Sequence, residues 1–231
     1  MPDRRFFSPR LYAYLRDLAA NNERDWFKEH QNRFEEVVRE PALDFIEAFA
    51  EPLYAVSPHF TADPRKVGGS LFRIQRDIRF SKDKTPYKTH VGIHFRHVAT
   101  RDDVHAPGFY LHLEPAGSFA ALGMWRPSTA NAYAIRDRIA GDPDAWKQAA
   151  YGGAFREMYG DLEGESLVRP PRGHDPDHPL IDDLRRKDFI ASTRLSQAQV
   201  TAPDFLATYT ETVKVGSPFM RYLCDALDLG F

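Results

Sequence analysis

The chain has 231 residues, 42% hydrophobic and 28% charged, and a net charge of −2, which is the composition of an ordinary globular protein with ample length for a real core. That near-neutral balance excludes wholesale coating of nucleic acid, and the single cysteine, Cys224, excludes an internal disulfide framework and a cysteine-based zinc knuckle. No stretch approaches a membrane span, and the N-terminal Met-Pro-Asp-Arg-Arg-Phe-Phe lacks the apolar run of a signal peptide, so a cytoplasmic protein is expected.

Ser8-Pro9 predicts a helix start, with Leu11, Leu15 and Leu18 at helical spacing and Asn21-Asn22 ending that helix and capping the next. The second helical run carries Trp26, Phe27, Phe34, Val37 and Val38, and Pro41 should kink or divide it before Phe45, Ile46 and Phe49. Ser57-Pro58 closes the helical region and strands take over. Residues 70–80 alternate as an extended strand, with Phe72, Ile74, Ile78 and Phe80 on one face and Arg73, Asp77 and Arg79 on the other. Arg76 falls on the apolar side, where a guanidinium must be paired or sit at the sheet margin.

Residues 89–98 alternate again, with Val91, Ile93 and Phe95 inward and His90, His94 and Arg96 outward. In the next strand Phe109, Leu111 and Leu113 face the core while Tyr110, His112 and Glu114 face away. Pro115-Ala116-Gly117 turns into a returning strand over residues 118–125. Helices resume at Ser128 and at Asp142-Pro143. A Pro-rich irregular stretch covers residues 165–179, where His174-Asp175-Pro176-Asp177-His178-Pro179 suits a loop with Asp177 capping the short helix near Leu180. A strand at residues 188–193 and a helix capped by Thr201-x-x-Asp204 follow, and Gly216-Ser217-Pro218 should break that helix and begin the last one, where Cys224 is buried. The fold expected is one α+β domain over residues 1–231, a mainly antiparallel sheet flanked by N- and C-terminal helices.

Charge is concentrated in one place. Residues 65–90 hold eight Lys or Arg against two Asp, a local +6 on a remainder of −8. After Phe80 the run Ser81 to Pro86 predicts a turn that returns Lys82, Lys84 and Lys88 towards the arginines. Converging guanidinium forks and ammonium groups suit a phosphate or other small anion. The same stretch, Arg73-x-x-Arg76-Asp77-x-Arg79-Phe80-x-x-Asp83-Lys84-x-x-Tyr87, resembles the signature of the family named domain of unknown function 2461. Trp26-Phe27, the run from Tyr110 to Pro115, Pro170-Pro171-Arg172-Gly173 and Asp177-His178-Pro179 extend the resemblance over nearly the whole chain. It implies no particular activity, substrate or cofactor.

Two readings of the basic segment stay open. In the first, Arg73, Arg76, Asp77, Arg79, Lys82, Lys84, Tyr87, Lys88 and His90 line a pocket on the sheet for a phosphate-bearing or other anionic small molecule, with His112 and Glu114 as acid–base groups. In the second, the segment is a non-catalytic module for nucleic acid or protein, or an Arg/Asp lattice that serves the fold alone. Extended nucleic acid is the weaker partner, because the remaining surface is not basic. His90, His94, His112 and Glu114 are the candidate metal ligands, but the cations Arg73, Arg79 and Lys88 argue against a bare divalent ion, so no metal site is expected. The P-loop, dinucleotide-binding, Gly-x-Ser-x-Gly and His-Glu-x-x-His patterns are missing, and no cofactor is indicated.

Overall fold

The computed structural model describes residues 4–231; Met1 to Asp3, the start of the N-terminal stretch considered above, lie outside it. The fold is α+β. Its centre is a five-stranded antiparallel sheet in sequential order, β1 (Phe60–Thr61), β2 (Val91–His97), β3 (Gly108–Leu113), β4 (Ser118–Met124) and β5 (Phe189–Leu195). Strand alternation puts Val91, Ile93, Phe95, Phe109, Leu111 and Leu113 on one face, all buried, because that face meets the helices. Phe49 packs on Phe95 at 4.8 Å between ring centres, and Tyr209 lies against both rings.

Before β1 come α1 (Pro9–Ala20), α2 (Arg24–Glu29), α3 (Gln31–Phe34), a π-helical turn (Glu35–Arg39) and α4 (Glu40–Val56). Pro41 does not interrupt the run, which stays helical over residues 31–56; the change of register falls in the π turn just before it. Asn22 does not cap α2. Its side chain accepts from Tyr87 N and donates to Tyr87 O, both at 3.0 Å.

After β4 come α5 (Thr129–Gly141), α6 (Pro143–Tyr151) and α7 (Gly153–Tyr159), the first two capped by Ser128 and Asp142 as the sequence suggests. The helix α8 (Ile181–Leu184) has Leu180 at its start. Asp177 is not its cap, because Asp175 already accepts from Asp177 N and holds the loop in its own turn. β5 leads to α9 (Gln197–Val200) and α10 (Phe205–Asp225). The capping box here is Ser196 with Gln199, one of the few pairs that satisfies both free donors, and Thr201 bonds backward to Gln197 O instead.

The expected break at Gly216-Ser217-Pro218 does not occur, and α10 runs straight through it. Pro218 cannot donate to Lys214 O, but the Ser217 hydroxyl takes that carbonyl at 2.8 Å. Gly216 is needed for contact rather than for a bend, since a methyl there would overlap Leu122. Cys224 is buried in α10, as expected.

Candidate functional site

The basic segment is not the regular strand that its alternation suggests. Ser70 to Phe72 extends the sheet edge beside β2, with Phe72 N donating to Gly92 O and His94 N to Ser70 O. The chain then leaves the sheet and returns as an irregular hairpin, pinned by Arg76 N to Pro86 O at 2.9 Å and Lys88 N to Ile74 O at 2.8 Å. Ile74 is buried, but Phe80 is 95% exposed at the tip and Ile78 is only half-buried. The charges from Arg76 to Lys84 are too many for either face of a covered sheet, so this part of the chain projects into water.

Within the hairpin most cations are turned inward on its own backbone and carboxylates. Arg76, expected at the apolar margin, is half-buried and bonds Asp83 and the Thr85 hydroxyl. Arg79 forks onto Asp77 at 2.7 Å, Lys84 Nζ donates to Ile78 O at 2.9 Å, and Lys88 Nζ to Arg73 O at 2.8 Å. The Arg79 guanidinium holds Asp77 down at about 2, and the Thr85 backbone N–H together with Arg76 does the same for Asp83. Tyr87 stacks on Phe27 at 4.1 Å. Lys82 is exposed, and among the described residues it makes no hydrogen bond. These residues do not converge as one pocket.

The open face of the sheet is sparser in charge and more convergent. Tyr110, His112 and Glu114 follow one another along β3 and just past it, on the face away from the helices. The Tyr110 hydroxyl lies 3.1 Å from His112 Nδ1, and His112 Nε2 lies 3.1 Å from Glu114 Oε2. Thr89 donates to the other Glu114 oxygen at 3.4 Å. The His112 ring rests on Phe119 of β4 at 4.6 Å and faces His90 at 4.4 Å. One ligand atom each from His90, His112 and Glu114 fall within 4.8 Å of one another. His94 does not join them. It lies at the other end of the Tyr110 ring, edge-on to Phe72, and borders a separate cleft with Arg65, Arg96 and Arg101.

Burial, with His112 next to it, pushes the His90 imidazole down to about 4, and burial pushes His94 down to about 4 as well. Burial and the Glu114 charge push the Tyr110 phenol up to about 12, so it remains a hydroxyl at neutral pH. Lys88 is lowered by burial and by Arg73 beside it. Two glycines make room for this layer of rings. A methyl at Gly92 would stand 2.6 Å from the Tyr110 hydroxyl, and one at Gly108 would overlap His94 Nε2.

A small cavity of 120 Å³ adjoins His90, between the hairpin root and the end of α3, with Arg39, Lys66, Arg73 and Gln75 on its wall and no carboxylate. Arg39 is paired with Glu35 from outside the wall, whereas among the described residues Lys66 and Arg73 have no ion-pair partner. Sequence reasoning passed over Arg39 and Thr89, counted Lys66 only as part of the local charge, and read Asn22 as a helix cap. It placed Tyr110 on the correct face but gave it no role, although its two-residue spacing from His112 was a usable signal.

The family model described as conserved hypothetical protein (DUF2461) matches residues 10–222. No curated protein matches the chain. The chain belongs to this conserved hypothetical family.

Proposed function

We propose that the chain binds a phosphate-bearing or similar small anion at the root of the hairpin, with His112 and Glu114 serving as an acid–base pair beside it. The observation that carries this reading is the cavity next to His90, whose wall holds Lys66 and Arg73 with no ion-pair partner among the described residues and no acid to neutralise them. His90 borders both this cavity and the His112–Glu114 pair, so an anion held there would present its attached group to the imidazole. The ligand groups in this proposal are Lys66, Arg73 and His90; Arg76, Asp77, Arg79, Lys84, Tyr87 and Lys88 build the hairpin that holds them.

Phosphate and a panel of phosphorylated metabolites and nucleotides are expected to raise the melting temperature of the chelator-treated protein by mass action. Arg73→Ala and Lys66→Ala should fold and lose that rise. An unchanged melting temperature across the panel at millimolar concentration would sink the proposal.

One observation favours a second reading. Phe80 stands exposed at the hairpin tip beside Arg79, Lys82 and Lys84, an aromatic flanked by cations, as single-stranded nucleic acid requires. The same protein assayed against an oligonucleotide decides between them: submicromolar affinity that falls steeply with salt and is lost in Phe80→Ala would displace the small-anion reading.

A further inference from the structure

Two imidazoles and a carboxylate from neighbouring strands meet on the open face of the sheet, and each has a different support. His112 has the Tyr110 hydroxyl behind it at Nδ1, Glu114 has Thr89 on its far oxygen, and among the described residues the His90 ring has no hydrogen-bond partner at either nitrogen. We infer that His90, His112 and Glu114 form a binding site for a divalent first-row transition ion of the zinc class.

The first argument is the contact between His112 Nε2 and Glu114 Oε2 at 3.1 Å. In the ion-free protein a proton on Nε2 donated to Glu114 accounts for that contact, with the Tyr110 hydroxyl donating to Nδ1, and an ion would take that proton's place. If Nδ1 carries the ring proton and donates to Tyr110, Nε2 is left as a bare acceptor facing the carboxylate, which is the arrangement of a metal-bound histidine with its outer partner in place. The second argument is distance. Ligand atoms of a tetrahedral ion stand roughly 3.4 Å apart when each bond is about 2.1 Å. The three atoms here already lie within 4.8 Å, so a small side-chain rotation of His90 closes the set.

The third argument concerns the donor types. Two neutral imidazoles and one carboxylate suit a borderline ion such as zinc, which leaves open positions for water or a substrate oxygen. The Glu114 side chain is one-third exposed, which gives solvent that access. The charge argument against a metal, drawn from Arg73, Arg79 and Lys88, weakens once the geometry is known. Arg79 is forked onto Asp77 and the Lys88 ammonium donates to the Arg73 carbonyl beside the Phe72 ring; Lys88 is still near enough to oppose charge on His90, and Glu114 offsets it.

This inference deepens the proposed anion site, because His90 lines both, but ion binding needs no anion. The full-length chain, stripped with chelator, is titrated with Zn²⁺ by calorimetry in phosphate-free buffer. One site per chain is expected, weakened on the order of 100-fold in His112→Ala and Glu114→Gln and about 10-fold in Tyr110→Phe, which removes only the hydroxyl behind His112. Circular dichroism checks folding, and the isosteric Glu114→Gln carries the test if His112→Ala unfolds. Absence of stoichiometric zinc, or affinity unchanged in Glu114→Gln and His90→Gln, would overturn the inference. Zinc binding without a phosphate response removes the anion reading alone, and a phosphate response without zinc binding removes the ion alone.

Discussion

The hairpin over residues 73–88 and the open sheet face around His112 differ in how charge is used. In the hairpin, opposite charges sit a few residues apart in sequence and satisfy one another, as Asp77 does Arg79 and Asp83 does Arg76. On the sheet face the polar groups are few, come from three strand-adjacent positions, and have their nearest partners across the ladder or along it: His90, His112 and Glu114, with Tyr110 behind. A dense run of charge therefore marks a stretch of chain that must stay in water and hold itself together. On the half-covered sheet Tyr110, His112 and Glu114 bond one another along the strand, while His90, brought in across the ladder, has no hydrogen-bond partner among the described residues and is free to act on something else.

The largest effect that would sharpen this contrast is expected at the sheet. Gly108→Ala puts a methyl where His94 Nε2 now lies, and the ring cannot swing away without displacing Phe72 and Tyr110. A loss of about 1–3 kcal/mol in urea unfolding is expected, towards the upper end because two rings must move. The Lys66→Ala and Arg73→Ala variants should stay within about 0.5 kcal/mol of the parent, as exposed sites do. If Gly108→Ala is neutral, the ring layer is looser than its packing implies and the contrast fails at its base.

Next in size is a pH effect. The folded-state pKa of His94 is about 4, below its unfolded value of 6.5, so the unfolded chain binds the extra proton between those values. Stability is then complete above about pH 6.5 and falls as pH drops towards 4, by about 2 kcal/mol between pH 7 and pH 5. The ring lies against Phe72 and Tyr110 and borders a polar cleft that also holds Asp63, Arg65, Arg96, Arg101 and Asp102; of these Arg96 adds to the depression. His90, less buried, acts in the same direction. Asp77 and Asp83 at about 2 titrate below this window, so the hairpin contributes nothing to it. Urea midpoints at the two pH values, repeated in His94→Gln, measure the effect; a slope unaltered by that substitution would assign it elsewhere.

The fold was legible where a pattern is local. Alternation in β2 and β3, the turn at Pro115 to Gly117 with its returning strand, and the caps Ser128 and Asp142 depend on neighbours within a few residues, and each appears where its spacing puts it. Three readings failed because a contact that periodicity does not encode decided them. Phe80 alternates correctly with Phe72 and Ile74, but whether a strand continues is set by what covers it, and here nothing does. Pro218 passes as a helix breaker until the Ser217 hydroxyl is seen on the Lys214 carbonyl. Asn22 is an ordinary cap candidate until Tyr87 arrives from 65 residues away. The site was half legible. The facing of His112 and Glu114 followed from alternation, but the approach of His90 depended on β2 and β3 being neighbours, and the cavity wall on α3 and the π turn meeting the hairpin root.

The smallest expected effect tests the hairpin from within. Arg76 is its internal clamp, bonding the Asp83 carboxylate and the Thr85 hydroxyl and carbonyl from a half-buried position. If the lattice holds only the hairpin, Arg76→Ala removes contacts that are largely screened by water, and global stability should fall by less than about 1 kcal/mol. Local order should respond more. The amides of Arg76 and Lys88, which pair with Pro86 O and Ile74 O, should exchange faster with solvent, while those of β2 and β3 keep their protection. Because Lys88 Nζ reaches the Arg73 carbonyl across the same hairpin, loosening it should also spread Lys66 and Arg73 and weaken any phosphate response without abolishing it. A fall of several kcal/mol, with β2 and β3 losing protection together, would make the hairpin part of the sheet's own cooperative unit and erase the distinction drawn between the two regions.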